Sequence, residues 1–385
     1  MFIDIACSQK KKYNQNAYGD FFASNRFPNM NRVVAVLSDG LGSGIKANIL
    51  ACMTSTMLLK FMESHFDIEK SCEIIMNSLP VCKVRGISYS TFSAIDCFEN
   101  GKAKIVEEGN PDFIWIRNGE VLKPEFQTIQ SKDFKNRKMK VYNIKLQKYD
   151  RIIFCSDGAT QVAMGSKEYP LGLERSGLIK IILHKLEQEP EISSKDLSEF
   201  LVRQIEYIAP KRELKDDTSI LSIYCRDPRE SLIFTGPPFH GEKDSFYAKT
   251  FMEFKGKKAI SGGTTANIIS RELNIPVIAD MSTNRGKLPG LLKMEGVDLV
   301  TEGILTLTKT LEYLQNGRYE NDAAKTLMNF LLDSDVINFL VGAQVNKAHY
   351  DPNLPIEIEI RKNVIKQIAQ VLEEKYLKKV EVQFI

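Results

Sequence analysis

Two apolar runs in this chain end alike. Arg32-Val-Val-Ala-Val-Leu37 stops at Ser38-Asp39-Gly40, and Asp150-Arg-Ile-Ile-Phe-Cys155 stops at Ser156-Asp157-Gly158. Short apolar runs closed by turn residues read as buried strands, so each delivers a carboxylate to the edge of a sheet. Asp216 and Asp217 stand directly before a third such run, Thr218 to Cys225, and Asp20 lies in Ala17-Tyr-Gly-Asp-Phe-Phe22, upstream of the first. Side chains mounted on strand ends are held rigidly and can converge. Four carboxylates with no histidine or thiolate nearby make a hard, all-oxygen site, which suits Mg²⁺ or Mn²⁺ rather than zinc. Glycine after the aspartate lets the backbone carbonyl approach an ion closely. Two such ions about 3.5–4 Å apart can share and deprotonate a water for in-line attack on phosphorus.

The surrounding pattern is strand-rich. Ser90 to Phe98, Lys102 to Val106 and Phe113 to Arg117 read as a meander turning at Glu99-Asn-Gly101 and Asn118-Gly119. Val141 to Leu146 reads as a further strand, paired with Asp150 to Ser156. Helical segments are expected at Ile45 to Met62, Ile68 to Leu79, Gly172 to Leu186 and Ser194 to Ile208. The first is apolar nearly all round and is expected to be buried. Near Arg226-Asp-Pro-Arg-Glu230 the composition turns polar, a boundary signal. Beyond it strands (257–261, 275–280, 297–300, 337–341, 380–385) alternate with helices (264–273, 304–314, 322–332, 360–377). That rhythm predicts an α/β domain with covered sheet faces over 230–385, after a first domain over 1–226.

Composition narrows the class. At 385 residues, 43% hydrophobic and 26% charged, the chain matches globular proteins, and a net charge of +3 is too balanced to argue for nucleic acid or an anionic membrane. Seven cysteines without a C-x-x-C pair fit free thiols in a reducing compartment. The N-terminus carries no signal-peptide pattern, and no stretch reaches the roughly 18–20 apolar residues of a membrane span. A cytoplasmic location is expected.

Ser38-Asp-Gly-Leu-Gly-Ser-Gly-Ile-Lys-Ala47, Ser156-Asp-Gly158 and Asp216-Asp-Thr-Ser219, in that order, resemble the metal-dependent (PPM-type) serine/threonine protein phosphatases, in their bacterial stage II sporulation branch. The stretches Ser90 to Asp96, Gly109-Asn-Pro-Asp-Phe113 and Arg117-Asn-Gly119 look like the central hairpins of that branch, and the resemblance covers residues 1–226. It implies an α+β fold, a β-sandwich flanked by helices, with the smaller α/β domain following. It also implies that Asp20 and Asp39 are ligands of a pair of Mn²⁺ or Mg²⁺ ions, Asp39 bridging them and Gly40 lending its carbonyl. Asp157 and Asp216 would complete one ion's coordination. The implied activity is hydrolysis of phosphoserine or phosphothreonine on a bacterial signalling protein by a metal-bridged hydroxide. The helix after Asp39 would couple partner binding or dimerisation to the metal site. Leu41 replaces a commoner methionine, and Gln161 stands where many members carry an acid.

Alternatives stay open at several positions. A lone Asp-Gly is an ordinary turn, and only the ordered set carries the assignment. Asp217 is expected to orient ligands rather than bind metal. Arg32 and Arg85 are the cations to test as phosphate ligands. His65, His184, His240 and His349 share no ligand spacing. Met53, Met57 and Met62 read as core or partner surface, and Lys10 to Lys12 as solvated. In the second domain, Gly262-Gly263-Thr264-Thr265 follows a strand and opens a helix. Its amides could cradle an anion, or Thr264 or Thr265 could be an N-cap. Asp280 and Glu302 end or follow strands, where α/β ligand sites lie. Two rival readings go with these features. One is a catalytically silent phosphatase fold that senses a phosphoprotein. The other makes the second domain a small-ligand or partner-binding module that gates the first. A homodimer through the apolar helices is compatible with the pattern.

Overall fold

The computed structural model describes residues 1–42, 44–64, 66–78, 90–130, 137–280, 290–342 and 354–385, with the side chains of 28 and 354–358 excepted. It forms two units, Met1–Asp227 and Pro228–Ile385.

The first unit holds strands β1 (Phe2–Lys10), β2 (Asp20–Phe27) and β3 (Arg32–Gly40), then helices α1 (Ile45–Glu63) and α2 (Ile68–Ser78). Strands β4 (Ser90–Phe98), β5 (Lys102–Glu108), β6 (Ile114–Arg117), β7 (Glu120–Leu122), β8 (Gln127–Gln130), β9 (Lys138–Lys145) and β10 (Arg151–Cys155) follow. Helices α3 (Asp157–Thr160), α4 (Glu174–Gln188) and α5 (Ser194–Ile208) precede β11 (Thr218–Arg226). Two sheets result, β1-β11-β10-β6-β7 and β2-β3-β4-β5-β9-β8, in which every adjacent pair is antiparallel. Strand side chains alternate between faces. Val33, Ala35 and Leu37 therefore meet Ile3, Phe154 and Leu221 between the sheets, while Val34 and Val36 face Leu58, Met62 and Ile75 of α1 and α2. That double burial explains why the β3 run is apolar without alternation. Helices α4 and α5 cover the other sheet through Leu178, Leu201 and Ile205. The unit is a helix-flanked β-sandwich.

One expectation fails. Helix α1 is not buried all round: Ile45, Ile49 and Met53 are 70%, 51% and 49% exposed, in a stripe at i, i+4, i+8. The small residues Ala47, Ala51, Thr54 and Ser55 face the sheet instead, together with Leu58 and Met62. Small side chains let the helix lie close to the sheet, which leaves the larger ones on the outer side. Apolar residues on every side of a helix do not say which side packs.

The second unit holds β12 (Glu230–Thr235), α6 (Asp244–Glu253), β13 (Lys257–Ser261), α7 (Gly263–Leu273), β14 (Ile278–Ala279), β15 (Leu292–Met294) and β16 (Val297–Thr301). Helices α8 (Ile304–Asn316) and α9 (Ala323–Asp333), strand β17 (Val336–Val341), helix α10 (Leu354–Tyr376) and β18 (Lys379–Phe384) complete it. The sheet order is β14-β15-β16-β13-β12-β17-β18, and the five strands from β16 to β18 are parallel. Leu232, Phe234 and Ile260 pack on α6 and α7, whereas Ile233, Ala259, Phe339 and Val341 pack on α8, α9 and α10. This is a doubly wound α/β sheet. Its central strand, β12, escaped the sequence reading because it begins inside the polar boundary signal. The expected strand over 275–280 shrinks to the two exposed residues of β14, since Pro276 has no amide to give a ladder. Among the described residues no helix is long and apolar enough to cross a membrane.

Candidate metal centre

The acids of the first unit gather at one end of the sandwich. Asp20 opens β2 and is the register partner of Asp39 near the end of β3. Asp39 continues the inward face of Val33, Ala35 and Leu37, so its carboxylate stands where the space between the sheets opens. From the facing sheet, Asp157 follows β10 as the first residue of α3, and Asp216 precedes β11, which pairs with β10. The two sheets are tied together at this point: Ser219 Oγ on β11 donates to Asp20 Oδ2 at 2.5 Å.

Asp217 is almost fully buried and faces elsewhere. Its Oδ1 accepts the Lys12 amide at 3.0 Å and its Oδ2 the Gly19 amide at 2.8 Å, so it clamps the segment between β1 and β2 that carries Asp20. Asp216 Oδ1 accepts the Asp217 amide at 2.9 Å. Gln161, at the expected acid position, donates from Nε2 to Asp157 Oδ2 at 3.1 Å. Gly40 is required by crowding: a Cβ there would lie 2.0 Å from the Ala47 carbonyl oxygen, where α1 folds back over the strand end. Gly158 is held as tightly, with a Cβ falling 2.1 Å from the Asp217 carbonyl oxygen.

Electrostatics mark the same spot. Burial pushes the Asp39 carboxyl far above the usual carboxylate range, and the charges of Asp20, Asp157 and Asp216 push it further. Asp20 is raised too, first by burial and then by Asp217 and Asp216, against hydroxyl bonds from Ser219 and Ser156. Asp157 and Asp216 are raised chiefly by burial. Crowded carboxylates of this kind either hold protons or neutralise a cation. Among the described residues no three His, Cys, Asp or Glu side chains are arranged to hold a metal ion as they stand. The chemistry of the crowded carboxylates, four oxygen acids with no soft ligand, fits hard divalent ions.

The structure revises two cation readings. Arg32 is at the opposite end of β3 from Asp39, about 23 Å away at roughly 3.3 Å per strand residue. It forms a buried fork with Asp96 (2.8 and 2.9 Å) and donates to the Met62 carbonyl, so it cannot act as a phosphate ligand. Arg85, like His65 and His349, lies outside the described residues. Lys12, read as merely solvated, stands close enough to lower the Asp216 carboxyl. Its signal was present in the sequence: a lysine run at the end of β1, just before the segment that leads to Asp20. The polar group formed by Thr91, Ser93 and Asn110 was also missed. Asn110 Oδ1 accepts from Thr91 Oγ1 at 2.6 Å and its Nδ2 donates to Ser93 Oγ at 3.2 Å and the Leu37 carbonyl at 3.4 Å. Thr91 is the register partner of Asp39, so this group braces the strand end from the side.

A family model described as stage II sporulation protein E matches residues 29–226, just over half of the chain. Among solved structures, the phosphatase domain of the cell fate determinant SpoIIE from Bacillus subtilis is 18% identical with a TM-score of 0.44, over 58% of this chain and 92% of that one. RsbX in complex with magnesium is 19% identical with a TM-score of 0.40, over 58% and 94%. The RsbU and RsbW domains of Rv1364c from Mycobacterium tuberculosis are 17% identical with a TM-score of 0.46, over 64% and 69%. No curated protein matches. The ordered acids, the sandwich that carries them and the span of the family match lead to one conclusion: the chain belongs to the stage II sporulation protein E family, a branch of the PPM-type serine/threonine phosphatases.

Proposed function

We propose that this protein is a metal-dependent serine/threonine phosphatase that hydrolyses phosphoserine or phosphothreonine on a signalling protein. One observation carries the reading: Asp20, Asp39, Asp157 and Asp216 come from four separate segments and gather, Asp20 buried and the others half-buried, and mutually repelling, at one mouth of the sandwich. Such strain has no structural use, and it is relieved by cations. These four side chains and the Gly40 carbonyl would hold two Mn²⁺ or Mg²⁺ ions. When bound, the ions supply an acidified water for direct attack and neutralise charge on the phosphoryl oxygens. The chain's own residues do the rest. Asp217 fixes the Lys12 and Gly19 amides and thereby the approach to Asp20. Lys12 adds a positive charge at the rim that attracts a phosphorylated side chain. Asn110 and Thr91 keep the β3 end from shifting.

The test is Mn²⁺-dependent hydrolysis of a phosphoserine peptide by the full chain beside Asp39→Asn. Turnover that needs metal and disappears in the variant supports the reading. Absence of turnover across a wide Mn²⁺ range would sink it, in favour of a catalytically silent phosphoprotein sensor.

A further inference from the structure

In the second unit, β13 and β16 are adjacent parallel strands, and each is followed by a glycine that opens a helix, Gly262 directly and Gly303 after Glu302. Gly262 caps α7 and Gly303 caps α8, and neither N-cap residue has a side chain to bond the first-turn amides. The two glycines abut: a Cβ on Gly303 would lie 3.6 Å from the Gly262 Cα. Helix α7 runs back along one face of the sheet and α8 along the other, as their separate cores show. Their positive ends therefore face one crevice at the carboxyl edge, where adjacent strands send their helices to opposite sides. Doubly wound sheets bind ligands in such crevices.

Both helices place a threonine three residues after the cap, in Gly262-Gly-Thr-Thr265 and Gly303-Ile-Leu-Thr306. Thr265 is 1% exposed and Thr306 0%, and neither Oγ1 has a hydrogen-bond partner. Buried hydroxyls are ordinarily satisfied, so an orphan in the first turn of each helix is a signal of its own. The Thr265 hydroxyl is turned back over its cap, 3.5 Å from where a Gly262 Cβ would stand. Gly262 has φ 130°, a conformation that favours glycine, and a Cβ on Gly263 would meet nothing within 4 Å, so the mouth is open there. The expectation of a threonine N-cap is thus corrected: glycine takes the cap, and Thr265 faces the turn without a partner. Glu302 supplies an internal stand-in. Its exposed carboxylate accepts the Gly303 amide at 2.6 Å, where the oxygen of an anion would bind.

We propose that this crevice is a binding site for the phosphoryl group of a small molecule. The first-turn amides of α7 and α8 and the hydroxyls of Thr265 and Thr306 would donate to it, and Glu302 would swing out on binding. The proposal does not depend on the phosphatase reading.

The test is calorimetric titration of the full-length Asp39→Asn chain in EDTA, which silences the acidic mouth of the first unit. The probes are inorganic phosphate, pyrophosphate and adenosine monophosphate. One saturable site per chain is expected. Glu302→Gln should tighten it roughly threefold or more by removing the competing charge. Thr265→Val with Thr306→Val should weaken it about tenfold while the melting temperature holds. Tighter binding of the nucleotide than of inorganic phosphate assigns the site to phosphorylated metabolites, and equal binding assigns it to free phosphate. No binding to Glu302→Gln up to about 10 mM, an affinity limit near 3 kcal/mol, would overturn the proposal. Because Glu302 is exposed, that variant stays folded and keeps the test decisive. Binding indifferent to both threonines would overturn it as well.

Discussion

The two units finish their strands in opposite ways. At the mouth of the sandwich, aspartates stand near the end of β3 and just beyond β10, and the resulting carboxylates crowd one another. At the carboxyl edge of the parallel sheet, β13 and β16 lead into helices whose N-caps are the glycines Gly262 and Gly303. Strand ends are rigid mounts in both, but the first concentrates negative charge and the second positive dipole. A mouth of the first kind is at rest only with cations, and one of the second kind only with an anion. The difference shows that the few residues around a strand end, together with those that neighbouring ends bring beside them, set the sign of a sheet edge.

The comparison can be broken most sharply at Asp39. Asp39→Asn should lower Mn²⁺-dependent turnover at least about 10³-fold, the scale of several kcal/mol of lost charge stabilisation. In EDTA the same variant should melt higher than the parent, because it removes the most strongly repelled carboxylate. A lower melting temperature would mean that the acids are not in conflict. Phe251→Ala tests whether the second unit has its own stability. Phe251 is fully buried against Phe234, and its loss should cost about 3–5 kcal/mol in the second unit's transition. Peptide hydrolysis should persist in this variant, and coincident loss of both would show the units to be interdependent.

A third expectation concerns pH. Burial, with the charge of Asp112 second, pushes Glu107 up to about 8. The raised value means that the folded state binds a proton the unfolded state has released. This contribution to stability is therefore full below the ordinary glutamate value, is lost as pH rises to about 8, and is absent above it. At about 1.4 kcal/mol per unit the change amounts to a few kcal/mol. Denaturation curves of the parent from pH 5 to pH 9 should show this decline, and Glu107→Gln should flatten it. An equal slope in the variant would exonerate Glu107. The smallest effect belongs to α1: Ile49→Lys, on the exposed stripe, should change stability by less than about 0.5 kcal/mol. A large loss by the same denaturation measurement would show that Ile49 is covered in solution.

What could be read from the chain divides along local and non-local lines. The acids were legible because each is announced by its neighbours, Asp39 and Asp157 by an apolar run before and a glycine after, Asp20 and Asp216 by the apolar run that follows, and their order in the chain carries the family resemblance. The alternation of the second unit was legible for the same reason, although β12 was hidden by the polar residues beside it. The brace of Thr91, Ser93 and Asn110 was not legible. Its role depends on which strands pair, and Thr91 faces Asp39 only through the β3–β4 register. Arg32 carried the right charge on the right strand but stood at its far end, tied to Asp96. The packed side of α1 was equally undecidable, since hydrophobicity on every side of a helix fixes no orientation. The sequence alone determined the local chemistry, that is, which strand ends carry acid and which carry glycine. Tertiary structure decided which of those ends meet, because burial and charge repulsion arise between residues that are distant along the chain and adjacent only once the sheets are formed.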